Sequence, residues 1–233
     1  MSLYLSINLL TIAFPLALSF DRRVRFVRSW GSVLPAIFLS GLIFGAWDAW
    51  FTRTGVWGFN PAYLTGLSLG DLPIEEVLFF LTVPYACLFT LAVLAHYAPG
   101  YRLSAGPTRM LALVLVSGLA VGGVVFIGRT YTAVNFLFTA GLLLWVLIRR
   151  PEVLEAFFPA YLVILFPFLL INGVLTGSFI EGEVVWYNPR EILGLRLGTI
   201  PVEDAVYGLG LLLLNRYLAD LLATRLSPKT TGP

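Results

Sequence analysis

Seven apolar stretches, each about the length of one bilayer crossing, take up most of this chain, and they limit the possible folds before any single residue does. They cover residues 4–20, 30–51, 73–96, 108–127, 130–148, 154–177 and 201–222. With 58% of the residues hydrophobic, 12% charged and a mean hydropathy of +0.88, a water-soluble domain would have no interior large enough for them. The sequence therefore predicts an all-α integral membrane protein with seven transmembrane helices. No basic segment precedes the first run and no small-residue cleavage site follows it, so it reads as a retained first helix.

The chain also repeats itself. At an offset of 128 positions, Val56-Trp57-Gly58-Phe59-Asn60-Pro61 meets Val184-Val185-Trp186-Tyr187-Asn188-Pro189. Gly66-Leu67 meets Gly194-Leu195, Pro73 meets Pro201 and Glu75 meets Glu203. A fixed offset is the mark of a duplicated folding unit. Here it lays helices 1, 2 and 3 on helices 5, 6 and 7, leaving helix 4 as a connector. An offset of four helices makes both copies cross in the same direction, a parallel repeat with its pseudo-axis along the membrane normal. The expected division is 1–97, a connector 98–129, 130–226 and a cytoplasmic tail 227–233.

Arg22, Arg23, Arg25 and Arg28 share one loop, and Arg102, Arg109, Arg149, Arg150, Arg225 and Lys229 fall on the same face of a seven-span chain. The positive-inside rule makes that face cytoplasmic and the N-terminus external. A net charge of +2 spread over short loops gives no nucleic-acid patch.

Each repeat carries an acidic pair just after a proline, Glu75 with Glu76 and Glu203 with Asp204, at the start of a long apolar helix. Carboxyl groups at membrane depth are costly and mark functional sites. The prolines suit the first helical position, which puts Glu75 and Glu203 near the third, where a glutamate can also act as a cap and complement the helix dipole. Capping explains the second acid of each pair less well, because it points about 100° further round the helix. Asp48, beside Trp47 and Trp50 at the end of helix 2, reads either as a cap or as part of a site. Asn172 is a polar group in an apolar span that needs a partner. Trp57, Phe59, Tyr63, Trp186 and Tyr187 suit an interfacial aromatic belt, while the recurring Asn-Pro suggests a specific turn folding each loop over its helix mouth.

There is no phosphate loop, dinucleotide fingerprint, nucleophile elbow or zinc pattern, so no cofactor and no metal is expected. One cysteine, Cys87, allows no internal disulfide. Carboxyl groups, aromatic faces and an apolar surround suit proton-initiated chemistry on a hydrocarbon. A carboxyl protonates an alkene, aromatic rings stabilise the cation, and a second carboxylate removes a different proton.

The residues Trp57-Gly58-Phe59-Asn60-Pro61, Leu72-Pro73-Ile74-Glu75-Glu76, Pro84-Tyr85 and Leu195 to Asp204 resemble the membrane-integral lycopene cyclase family, in the form where the two small subunits of the heterodimeric bacterial enzyme are fused. The resemblance runs over nearly the whole length. It implies non-redox cyclisation of the ψ-ends of lycopene to β-rings, through γ-carotene to β-carotene, by an isomerase of the intramolecular lyase type. It also implies a bacterial inner membrane, long apolar carotenoids as partners and contact with other enzymes of that pathway. Carried onto this chain, Glu75 and Glu203 take the acid role and Glu76 and Asp204 the partner or base role. Asp48, Trp47, Trp50, Asn172, Tyr187, Arg196 and Tyr207 become substrate-lining or supporting residues. A related end-group cyclase making ε- or γ-rings, or acting on another acyclic carotenoid, fits the same motifs. A small-solute transporter would need polar groups through both leaflets, and the cytoplasmic halves are nearly all apolar. A retinal receptor would need a Schiff-base lysine within a helix, and the one lysine is Lys229 in the tail.

Overall fold

The apolar runs fold into helices because a spanning segment must satisfy its own backbone hydrogen bonds. A computed structural model describes residues 2–226. Its helices are α1 (Leu3–Leu18), α2 (Trp30–Thr54), α3 (Ile74–Tyr97), α4 (Ala105–Val125), α5 (Thr130–Arg149), α6 (Pro151–Leu175) and α7 (Val202–Leu226). The tail expected at 227–233, with Lys229, lies outside the described residues. Among the described residues, six helices are long and apolar enough to cross a membrane. The seventh, α1, has only 16 residues, about 24 Å at 1.5 Å per residue. It stops before Ser19, whose hydroxyl turns back to the Pro15 carbonyl, and the chain then enters the arginine loop.

The loops are more ordered than an all-α reading implies. They hold strands β1 (Trp57–Phe59), β2 (Ser68–Leu69), β3 (Leu72–Pro73), β4 (Val185–Tyr187), β5 (Arg196–Leu197) and β6 (Ile200–Pro201). Strands β2 and β3 form one small hairpin, β5 and β6 another, and β1 pairs antiparallel with β4. Trp57 lies opposite Tyr187, Gly58 opposite Trp186 and Phe59 opposite Val185. The ladder is thus centred on two positions that coincide at the offset of 128. It also places the loop before α3 and the loop before α7 on the same end of the bundle.

The two asparagines extend this pairing. The Asn60 amide donates to the Val184 carbonyl and the Asn188 amide to the Val56 carbonyl. Their side chains donate to Glu183 and Gly55 carbonyls respectively, while each Oδ1 accepts a backbone amide two residues on. The expected turn is present, and it also ties each loop to the other. Gly58 has no side chain because the Trp186 ring occupies that space: a Cβ there would lie 2.3 Å from the indole.

Packing follows the same plan. α1 lies on α3 and α5 on α7, α2 packs against α7 and α3, α3 also meets α6 and α7, and α4 lies against α5 and α6. Lipid gives no hydrophobic drive between helices, so close approach and hydrogen bonds hold them. Gly123 of α4 meets Leu137 of α5, and Gly210 of α7 meets Thr139 of α5. Ser40 of α2 donates to Asn215 of α7 at 2.7 Å. The outer surface carries Leu10, Phe14, Phe38 and Phe166, all at least 60% exposed. Such a surface suits hydrocarbon and not water.

Candidate active site

Pro73 fixes how the first acids are aimed. It is the residue before α3 rather than its first turn, with φ −57° and ψ 145°, and belongs to β3. Pro201 likewise lies in β6, one residue before α7. Glu75 and Glu203 are therefore second in their helices and Glu76 and Asp204 third. A capping box with the preceding residue is impossible, since proline has no N–H.

Glu75 turns toward its own hairpin loop. One carboxyl oxygen accepts the Thr65 amide at 2.6 Å and the Ser2 hydroxyl at 2.9 Å. Glu203 does the same with the Leu193 amide at 2.6 Å and the Thr132 hydroxyl at 2.7 Å. The other oxygen of each is buried without a partner. Asn8 and Asn135 donate to the carbonyls of Glu75 and Glu203, at 3.0 and 2.7 Å. These two acids fasten loop to helix and do not reach the central cavity.

Glu76 and Asp204 do reach it. A cavity of about 440 Å³, counted to its mouth, lies between α3 and α7 under the β1–β4 ladder, and both carboxyl groups line it. Glu76 accepts the Tyr4 hydroxyl at 2.5 Å, and Asp48 is buried close by on α2, with one carboxyl oxygen left without a hydrogen-bond partner. Asp48 in turn accepts the Trp57 indole N–H at 2.5 Å and the Thr52 hydroxyl at 3.3 Å. Asp204 accepts three donors: Tyr131 hydroxyl at 2.6 Å, Asn172 amide at 2.6 Å and Tyr187 hydroxyl at 2.9 Å. The Tyr187 phenol is pushed well above its ordinary range by desolvation and by the Asp204 carboxylate beside it, so it remains a donor.

Aromatic rings make up most of the rest of the wall. Tyr4, Tyr131, Tyr187 and Tyr207 line the cavity with Trp57, Phe59, Phe79 and Phe168. Trp57 stands edge-on to Tyr131 at 5.0 Å, and Tyr131 stacks on Tyr187 at 5.7 Å. No lining residue is Lys, Arg or His, so nothing in the wall would hold a phosphate. The arrangement can donate and accept protons among π-faces, away from bulk water.

Of the residues singled out in the sequence, Glu76, Asp204, Asp48, Asn172, Tyr187 and Tyr207 come together here. Trp47 lies behind Tyr207, stacked on Phe44 at 5.3 Å. Trp50 is 48% exposed on the outer face of α2, where its ring meets Phe51. Arg196 sits on exposed β5 with its guanidinium 6.0 Å from the Tyr187 ring centre and donates to the Thr199 carbonyl. The chief omissions are Tyr4, Tyr131 and Asn135. A signal for them existed: Tyr4-x-x-x-Asn8 recurs as Tyr131-x-x-x-Asn135. The offset is 127 there, because helix 5 is one residue out of register with helix 1 relative to the motifs.

Comparisons with known proteins agree with the motifs. The family profile described as lycopene cyclase matches residues 1–94 and 128–222. The chain is 30% identical over 93 residues to a bifunctional lycopene cyclase/phytoene synthase of Aspergillus niger, a match covering 37% of this chain and 16% of that protein. It is 35% identical over 57 residues to a protein of the same description from Pyrenophora tritici-repentis, covering 24% of this chain and 10% of the other. The chain thus spans only a small part of the length of these relatives. No solved structure matches it significantly. Because the profile takes in both acidic motifs and most of the sequence around them, the chain belongs to the lycopene cyclase family.

Proposed function

We propose that this protein is a lycopene β-cyclase, an isomerase of the intramolecular lyase type, and that Glu76 with Asp48 supplies the proton while Asp204 removes one. The observation that carries the reading is the meeting of Glu76 and Asp204 in one aromatic-walled cavity. Glu76, Asp48 and Asp204 are carboxyl groups buried together at one site, and groups so crowded away from water do not all ionise, which leaves Glu76 as the loaded donor. Asp204, facing three donors, is arranged to accept.

The donor adds H⁺ to C2 of the terminal C1=C2 alkene, leaving a cation at C1. The C5=C6 bond attacks it, forming the C1–C6 bond and moving the positive charge to C5, where tyrosine and tryptophan faces stabilise it. Loss of the C6 proton to Asp204 restores C5=C6 and completes a β-ring; loss from C4 would give an ε-ring. One proton enters and one leaves, with no redox change. Glu75 and Glu203 have a supporting part in this scheme, holding the hairpins that roof the site.

The symmetric pairing of the loops and the two profile segments support a duplicated unit with seven crossings, joined by α4. The arginine loops support an orientation in a bacterial inner membrane with the acid end outside and the C-terminal end in the cytoplasm. The test is purified protein in detergent with lycopene, D₂O and no nucleotide. β-Rings carrying one solvent deuterium each are expected; acyclic product alone would overturn the assignment.

A further inference from the structure

Deeper in the bundle lies a second pocket of about 670 Å³, counted with its open mouth and bounded by α1, α3 and α6. Thr11 and Pro15 form one wall, Val83 and Cys87 the second, Ile164 and Ile171 the third. Phe79, Phe168 and Asn172 line both this void and the acid cavity, so the two abut. No charged side chain lines it. α1 and α6 both flank α3 without packing extensively on one another, which leaves a slot between them facing the lipid.

In the other half, aromatic rings take the corresponding positions. At the repeat offsets, Phe138 replaces Thr11, Tyr207 replaces Phe79 and Phe44 replaces Asn172. These three rings fill the corresponding region: Phe44 meets Tyr207 at 5.1 Å and Phe138 at 5.5 Å, and Trp47 closes on Phe138 at 5.4 Å. Ser40 and Asn215 stand at the positions equivalent to Phe168 and Cys87, and their hydrogen bond joins α2 to α7. The pseudo-symmetry is broken by packing: among the described residues, rings close this region in one half, while the other has a groove beside the acids.

We infer that this groove holds the polyene arm of the substrate while one end group sits between Glu76 and Asp204, and that the substrate reaches the acids sideways from the bilayer between α1 and α6. The inference rests on the cyclase reading. A long conjugated hydrocarbon is dissolved in the membrane already, so a lateral route avoids exposing it to water. The groove walls match it in polarity, as is usual where an apolar ligand binds.

The test narrows the groove from opposite walls with Ala86→Phe on α3 and Ile171→Trp on α6, each able to decide if the other does not fold. Leu214→Phe, at the position equivalent to Ala86 in the filled half, is the control. Lycopene binding is read from the pigment absorbance that stays with the protein after gel filtration in micelles, and turnover from ring products. Each narrowing variant is expected to weaken binding and turnover at least about tenfold, with the control within about twofold. Glu76→Gln is expected to bind lycopene like the unmodified protein without turning it over. Unchanged binding and turnover in folded Ala86→Phe or Ile171→Trp would overturn the groove and leave the acid assignment standing. Binding that these variants block, in a protein that never forms rings, would instead overturn the acid assignment and leave the groove.

Discussion

The first turn of α3 carries Glu75 and Glu76 about 100° apart around the helix, so one faces the hairpin loop while the other faces the cavity, and α7 repeats this with Glu203 and Asp204. Substitution should separate them sharply. Glu76→Gln removes the proton donor of the proposed scheme, and a loss of about 100-fold or more in turnover is expected, within the range for general acid–base groups. Glu75→Gln keeps an oxygen to accept from Thr65 and Ser2, so its turnover should stay within about tenfold, a barrier change of about 1.4 kcal/mol. Glu75→Leu leaves both donors unpaired and should cost about 1–3 kcal/mol of stability, seen as a lower unfolding temperature in detergent. Equal losses in Glu75→Gln and Glu76→Gln would contradict the division. The sequence shows the pairs because four acids stand out in apolar helices. It does not show which of each pair faces inward, since that depends on where α1 and α5 lie and on the hydroxyls of Tyr4 and Tyr131.

The helices were legible to within a few residues because each needs an apolar run of bilayer length, which little else in a sequence resembles. The strands were not. They are two or three residues long, too short for any alternation, and the β1–β4 register is set by a partner more than 120 positions away. The ladder nevertheless roofs the site: Trp57 reaches Asp48 and Tyr187 reaches Asp204 from it. Its close point is Gly58 against Trp186. Gly58→Ala would force a methyl into the indole, and a loss of about 1–3 kcal/mol is expected from such overpacking, with reduced turnover as Trp57 and Tyr187 shift. In a double-mutant cycle the effects of Gly58→Ala and Trp186→Ala should not add, because removal of the ring frees the space the methyl needs. Additive unfolding shifts would mean that the glycine is there for another reason.

At the scale of the molecule, the proposed scheme joins two duplicated halves around one reaction chamber. Glu76 comes from one half and Asp204 from the other. The aromatic cluster of Phe44, Trp47, Phe138 and Tyr207 fills the space that a second groove would need. Lycopene has two ψ-ends, and a single chamber beside a single groove accepts one end at a time. After the first ring closes, the product must withdraw and return reversed, so it passes through the bilayer or micelle as a free monocyclic species. γ-Carotene should therefore rise early and then fall in a single time course. Adding a large excess of unlabelled lycopene after a short pulse of labelled substrate should hold the label in the monocyclic pool, because the released intermediate must compete to rebind. Label moving straight to the bicyclic product despite the chase would instead require that both ends be held at once, with a second chamber opened by moving that aromatic cluster.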